Sequence, residues 1–372
     1  MWFLAAYIII AVSCITITGR TLIAYSEYAA WAKLLVYVFL VLAWFSPMLV
    51  WNMQARLSVP VWLYVGFAKV CYFMFGFAFL LVMVLLIRDF VWFLLYYIGG
   101  KNIISPFDAS VLKSVNIITI VSVLLLSIYA VYAAGKMPQV LHYQYTDARI
   151  KKPVKILVAS DLHITKMTSV EAVQKLVRMF NGLKPDIILL PGDIGDDSVG
   201  DVKRQIGELK KLRAPLGIFY TLGNHETYFD AGAWEAEFAS LGFIVLHNSG
   251  VSVPDTGLFI AGLPDMHAFP INIKQAVRQA KKEEYRLMLS HLPAVAKYIR
   301  DNDVNMLVGG HTHGGQIFPF NWLTKWGNGG FVSGEYSKNN ATVLVSRGVG
   351  YWGPPMRLGA PSDVMLIELK PQ

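Results

Sequence analysis

Two regimes of hydrophobic patterning divide the chain. From Trp2 to Ala134 the apolar residues run in long blocks with few polar breaks, whereas from Val154 onward short apolar runs alternate with amphipathic stretches. Four blocks, Trp2–Thr18, Ala29–Trp51, Val59–Ile87 and Val111–Ala134, are long enough to cross about 30 Å of hydrocarbon. The first lacks a basic n-region and a clean small-x-small cleavage site, so it reads as a retained span and not as a signal peptide. Arg88 and Asp89 interrupt the third block, and Phe90–Ile98 beyond them is too short to cross alone. That piece is rich in Trp and Tyr, which predicts an interfacial helix; the count is four spans, or five if it crosses. Lys69 lies inside the third block, where a cation either snorkels along its own stem or marks a functional position.

The second regime carries five strand-like runs, each ending in a polar cluster. Val154–Ser160 runs into Asp161-Leu162-His163, Ile187–Leu190 into Gly192-Asp193, and Ile218–Leu222 into Gly223-Asn224-His225-Glu226. Arg286–Ser290 runs into His291, and Val304–Val308 into Gly310-His311-Thr312-His313. Amphipathic helical stretches such as Ser169–Asn181 and Ala231–Leu241 separate several of them, a pattern that predicts an α/β sheet. In such sheets functional groups gather at the carboxyl ends of strands, so one site can collect all five clusters. The i,i+2 spacing of Asp161/His163 and of His311/His313 would set each pair on one face if the backbone there is extended. Carboxylate, amide and imidazole donors without thiolate suit manganese, iron or zinc in a reactive site better than a structural zinc knot.

Composition sharpens this division. The 55% hydrophobic and 16% charged residues are an average over a lipid-solvated part and a water-solvated part. The net charge of +8 would raise nucleic acid as a partner. The basic residues Lys136, Arg149, Lys151, Lys152 and Lys155 instead crowd the end of the last apolar block. Their position favours anionic lipid headgroups and a cytoplasmic location for the C-terminal part of the chain. Arg56 agrees with that orientation; Arg20 and Lys33 oppose it. The organisation expected is a transmembrane helical domain over 1–135, a basic linker or first strand over 136–153 that includes the alternating His142-Tyr143-Gln144-Tyr145, and a catalytic domain over 154–372. Both cysteines, Cys14 and Cys71, lie in apolar blocks and imply neither a disulfide framework nor a thiolate site.

Taken together, Asp161-x-His163, Gly192-Asp193-x-x-Asp196, Gly223-Asn224-His225-Glu226, His291 and Gly310-His311-x-His313 resemble the five blocks of the calcineurin-like metallophosphoesterases, in family order. The tail, through Gly309–Gln316, Ser346-Arg347-Gly348-Val349-Gly350 and Pro354-Pro355-Met356-Arg357, is similar to a bacterial membrane-bound branch. The resemblance implies a β-sandwich flanked by helices and two divalent metal ions, manganese first, iron or zinc next. It implies that Asp161, His163, His313 and Asp193 bind one ion. Asn224, His291, His311 and again Asp193 would bind the other. His225 would act at the leaving oxygen, Asp193 would be the catalytic bridge, and Asp196 and Glu226 would stand behind the ligands. Asp197 has no assigned role.

The reaction implied is hydrolysis of a phosphoester or pyrophosphate. Fusion to several spans points to a lipid-linked substrate and to a lipid bilayer as partner, in a bacterial inner membrane. A likeness to UDP-diacylglucosamine pyrophosphatases makes a nucleotide-lipid anhydride a candidate, by analogy alone. The competing readings are a membrane-tethered phosphodiesterase of soluble substrates and a non-catalytic scaffold. No nucleic-acid motif is seen, and the complete donor set argues against the scaffold. After His313 the aromatic segment Ile317–Gly327, with Trp322 and Trp326, would either pack in the domain core or form a lip on the bilayer.

Overall fold

Four helices precede every strand in the computed structural model, which describes residues 2–23, 28–56, 59–99, 105, 108–300 and 303–372. They are α1 (Trp2–Ile23), α2 (Ala30–Arg56), α3 (Val61–Gly99) and α4 (Ala109–Ala134), all long and apolar enough to cross a membrane. The chain divides into two compact units, one of Met1–Ala133 with Gly353–Met356, the other of Ala134–Trp352 with Arg357–Gln372.

In the first unit the helices cross on small residues. Ala11, Ala43 and Ala78 are fully buried among Ile15, Leu40, Trp44 and Val82. Without a hydrophobic drive between helices in lipid, such close backbone approach supplies the packing. Ser46 Oγ donates to the Cys71 carbonyl at 2.9 Å, an interhelical bond that lipid cannot replace.

The break expected at Arg88–Asp89 does not occur: α3 runs without interruption through both residues and absorbs Phe90–Ile98 into one 39-residue helix. The reason is local neutralisation. Arg88 Nε donates to Asp89 Oδ1 at 2.7 Å, and its Nη1 donates to Asn116 Oδ1 at 2.7 Å and Thr119 Oγ1 at 3.1 Å on α4. A paired guanidinium in a bundle costs far less than a bare one, so the helix need not end. Lys69 lies exposed on the outer surface of α3, where its stem is free to snorkel.

The second unit runs β1 (Gln139–Thr146), β2 (Val154–Val158), α5 (Val170–Gly182), β3 (Ile187–Pro191), α6 (Val199–Gly207), β4 (Ile218–Thr221), α7 (Asn224–Phe229) and α8 (Ala231–Ser240). It continues with β5 (Ile244–Val245), β6 (Ser249–Val253), β7 (Leu258–Leu263), α9 (Ile273–Ala276), β8 (Tyr285–Ser290), β9 (Met306–Gly309), α10 (Asn321–Gly327), β10 (Gly334–Lys338), β11 (Ala341–Val345) and β12 (Asp363–Lys370). Two six-stranded sheets form, in the orders β1-β12-β2-β3-β4-β5 and β10-β11-β9-β8-β7-β6. Strands β2 to β5 are parallel, as are β7, β8, β9 and β11, with antiparallel pairs where β12 meets β2, β6 meets β7 and β10 meets β11.

The sandwich core lies between the sheets. Ile156, Val158, Ile187 and Leu189 of one meet Ile260, Leu287, Leu289 and Val308 of the other, all buried. The opposite face of the first sheet is covered by helices. Val173, Val177 and Phe180 of α5, Val202 and Ile206 of α6, and Trp234 and Phe238 of α8 pack on Leu157, Ile188, Leu190 and Tyr220. Because parallel strands are buried on both faces, they read as unbroken apolar runs. Ser169 caps α5 by accepting from the Ala172 amide at 3.1 Å, where the amphipathic pattern begins. This is the β-sandwich flanked by helices that the sequence implied, and all five strand-like runs are strands: β2, β3, β4, β8 and β9.

A candidate dinuclear metal centre

The polar clusters at the carboxyl ends of β2, β3, β4, β8 and β9 converge. Three come from the first sheet and two from the second, so the site spans the mouth of the sandwich. The extended backbone expected at the i,i+2 pairs is not what brings them together. Asp161, His163, Asp193, His311 and His313 all adopt positive φ, between 46° and 68°. That conformation is uncommon for residues with a Cβ and is held only where surrounding structure fixes it; such residues cluster at functional sites. Each polypeptide turns sharply on leaving its strand, and the turns, not the pleat, point the side chains inward. Close backbone contact makes this possible. A Cβ on Gly223 would lie 2.1 Å from Asp193 Oδ1, and one on Gly310 the same distance from Asp161 Oδ2.

Two constellations result. In the first, Asp161, His163 and His313 present donor atoms to one point: His163 Nε2 is 2.9 Å from His313 Nε2, which is 3.4 Å from Asp161 Oδ1. In the second, Asp193, His291 and His311 do the same. His291 Nε2 is 3.0 Å from Asp193 Oδ2, 3.1 Å from Asn224 Oδ1 and 3.2 Å from His311 Nδ1. Asp193 Oδ2 also lies 3.8 Å from His163 Nε2, which makes it the carboxylate shared by both. His225 enters as a third face, with Nε2 at 3.9 Å from the same oxygen.

The chemistry of these donors fits divalent cations. Asp161 and Asp193 are almost wholly buried, and among the described residues no Lys or Arg forms an ion pair with either. Buried carboxylates need a counter-charge, and imidazole nitrogens packed against one another need something other than a second lone pair between them. His311 and His313 stay neutral and able to ligate: burial lowers them to about 3 and about 4, against the pull of the nearby aspartates. Burial also acts to lower His291, but Asp193 overcomes it and raises the ring to about 10.

The surrounding contacts orient the donors. His291 Nδ1 donates to the Pro191 carbonyl at 2.9 Å, leaving Nε2 to face Asp193. Asp196 accepts from His163 Nδ1 at 3.2 Å and from His225 Nδ1 at 2.5 Å, so one carboxylate sets both rings with Nε2 inward. Burial works to raise Asp196, but the two imidazoles lower it to about 2. Glu226 accepts four backbone amides, from Asp193, Ile194, Gly195 and Gly223, at 2.6 to 3.1 Å, and so pins the loop that carries Asp193. Burial and the neighbouring Asp193 push it up to about 7. Asp197, also buried, accepts the Lys166 amide at 2.7 Å and ties the turn after His163 to the turn after Asp193.

Two residues have roles that the sequence reading did not assign. Tyr228 accepts from Asn224 Nδ2 at 3.0 Å, which turns Asn224 Oδ1 toward His291; its signal was the i,i+4 spacing within α7. Arg357 is 1% exposed and meets the His313 ring, with Nη2 at 3.2 Å from Nδ1. Nη2 also reaches the carbonyls of Arg347, Gly348 and Gly350, Nη1 that of Ala360 and Nε that of Gly350, at 2.5 to 3.1 Å. Burial lowers it, but only to about 10, so it stays charged. Arg357→Met should leave several buried carbonyls without donors and destabilise the domain by about 2–4 kcal/mol in a denaturant titration. Among near-isosteric changes, Arg357→Lys should recover only part of this, because one ammonium cannot match the fork.

Comparison with known proteins agrees. Residues 154–315 match the family model of the calcineurin-like phosphoesterases. An uncharacterized metallophosphoesterase of Campylobacter jejuni is 31% identical over 303 residues, covering 76% of each chain. A transmembrane protein with metallophosphoesterase domain from Bos taurus is 30% identical over 66% of this chain and 60% of its own. A 5'-nucleotidase precursor from Thermus thermophilus overlays with a TM-score of 0.38 at 16% identity, over 58% of this chain and 55% of its own. The paired donor constellations, the family model and the two sequence relatives meet in one conclusion: the chain is a membrane protein that belongs to the calcineurin-like metallophosphoesterase family of metal-dependent phosphoesterases.

Proposed function

We propose that the chain hydrolyses a phosphoester or pyrophosphate bond in a lipid-linked substrate at a membrane surface. One observation carries this reading: a complete dinuclear donor set stands in the same chain as four membrane-length helices. One span suffices to tether a domain; four suggest business with lipid itself. The membrane-bound branch that the tail resembles is itself similar to UDP-diacylglucosamine pyrophosphatases, which keeps a nucleotide-lipid anhydride among the candidates by analogy alone.

Asp161, His163, His313 and Asp193 would hold one ion, and Asn224, His291, His311 and Asp193 the other, with manganese favoured by the oxygen and imidazole donors. Bound there, a metal pair supplies an activated water and neutralises the phosphoryl oxygens for in-line displacement. The protein's own groups do the rest. Asp193 and Asp161 set the charge of the site, and Asn224 adds a donor without adding charge. His225, one-fifth exposed where His163, His291 and His313 are buried, faces the open side and is placed to give a proton to the leaving oxygen. Burial acts against its protonation, but the Asp193 and Asp196 carboxylates outweigh that and raise it to about 9.

The test is a screen of the purified full-length protein, loaded with manganese, against bacterial lipid extracts, with released phosphate products measured by mass spectrometry. Turnover confined to soluble nucleotides or nucleic acid would replace this reading with that of a tethered phosphodiesterase. The reading includes a cytoplasmic catalytic unit on a bacterial inner membrane, supported by the basic residues after α4. A C-terminal alkaline phosphatase fusion should therefore stay silent, and strong activity would reverse the orientation.

A further inference from the structure

Helix α10 wears its amphipathicity inside out. At about 100° per residue, Trp322, Leu323 and Trp326 share one arc of roughly 100°, and Asn321, Thr324 and Lys325 share the opposite arc. In the same unit α5 buries its apolar stripe of Val173, Val177 and Phe180. Here the order is reversed: Trp322, Leu323 and Trp326 are 66%, 62% and 85% exposed, while the polar Asn321 and Thr324 are half-buried. The core packing that the sequence left open for these rings is therefore overturned. Phe318, nearly half exposed, extends the apolar patch, its ring centroid 5.5 Å from that of Trp322.

This helix is not a loosely hung loop. A Cβ on Gly315 would sit 2.2 Å from Asn321 Cα, so the backbone two residues after His313 is packed directly on the start of α10. The Phe318 amide donates to the Leu358 carbonyl at 2.9 Å. The Gln316 side chain brackets Trp352 by giving to its carbonyl at 3.0 Å and accepting from its amide at 3.1 Å. The exposed rings are thus held at fixed positions next to a metal-ligand loop.

We infer that α10 and its flanking rings form a lip that inserts into the headgroup region of a lipid bilayer. The occupant is argued from the chain itself: the same polypeptide carries four membrane-length helices, so a bilayer is the surface to which this unit is tethered. The side-chain chemistry agrees. Trp satisfies an apolar ring and a polar N–H at once in the interface. The inference deepens the lipid-linked reading above and rests on it for its purpose, though not for its geometry.

The experiment uses the full-length protein in anionic nanodiscs, with a nitroxide at Trp326→Cys in a Cys14→Ser, Cys71→Ala background. Lys210→Cys, on an exposed surface site, is the reference. The lip predicts that oxygen relaxes the label at 326 more than a water-soluble nickel chelate does, with the reverse at 210. Equal nickel access at 326 and 210 overturns it. So does a label shielded from both reagents, which would mean that protein, such as a second copy, covers the patch. Leu323→Cys repeats the test should the first variant fold poorly. Failure of the functional reading is scored separately: a lipid-inserted label without lipid hydrolysis keeps the lip and removes the substrate, and a water-exposed label with lipid hydrolysis does the opposite.

Discussion

Asp193→Ala should strip the protein of both metal ions and of hydrolysis together. The carboxylate lies 3.0 Å from His291 Nε2 and 3.8 Å from His163 Nε2, so it is the one donor common to the two constellations. Removing it leaves the imidazoles with Asp161 as the remaining ligand carboxylate. The expected loss in rate is at least about 10³-fold, the scale on which a single well-placed electrostatic stabiliser already acts. Because Asp193 Oδ1 also accepts the His225 amide at 2.9 Å, a structural effect must be separated from a metal effect. Asp193→Asn keeps that acceptor and the volume but not the charge. It should melt with near-wild-type cooperativity and still retain far less metal, as measured by elemental analysis. Wild-type turnover of a generic phosphodiester by either variant would end the dinuclear assignment.

His225→Ala should give the opposite signature: metal content unchanged and kcat lowered by roughly 10²–10⁴-fold. Its ring is partly open to solvent, and its Nε2 stands 3.9 Å from the shared carboxylate, farther than the His291 nitrogen. Asp196 holds its Nδ1, which leaves Nε2 free for a leaving oxygen. The loss should shrink for a nitrophenyl ester, whose leaving group needs little protonation, and be largest for an alkyl ester. An equal loss for both, or a drop in bound metal, would make His225 a ligand or a scaffold residue instead of an acid.

The sequence was most legible where chemistry and periodicity coincide. Val154–Val158 and Ile187–Pro191 are buried on both faces and end close to Asp161 and Asp193, so an apolar run leading into a ligand was enough to find both strand and site. The turn geometry was not legible, because i,i+2 spacing reads the same in an extended strand as in the left-handed turns at Asp161 and His163. Strands β10 and β11 at one edge of the second sheet likewise carried no ligand to announce them. Arg88 was read as a break because its partners, Asn116 and Thr119, lie 28 and 31 residues away and no local pattern connects them. Arg357 was legible only as part of the tail motif, and its role was hidden for the same reason: it joins the His313 ring to carbonyls of Arg347, Gly348, Gly350 and Ala360, which only the fold brings together. The tryptophans of α10 show the converse. Their presence was plain, but core and lipid surface demand the same residues, and only burial tells them apart.

The central claim is a two-ion hydrolytic centre, and metal reconstitution tests it most directly. The full-length protein, stripped with a chelator and titrated with Mn²⁺, should be inactive at first. Hydrolysis of bis(p-nitrophenyl) phosphate should then return as binding saturates at two equivalents per chain, and Asp193→Ala should bind neither. Full activity in the stripped protein, or saturation at a single equivalent with full activity, would contradict the account.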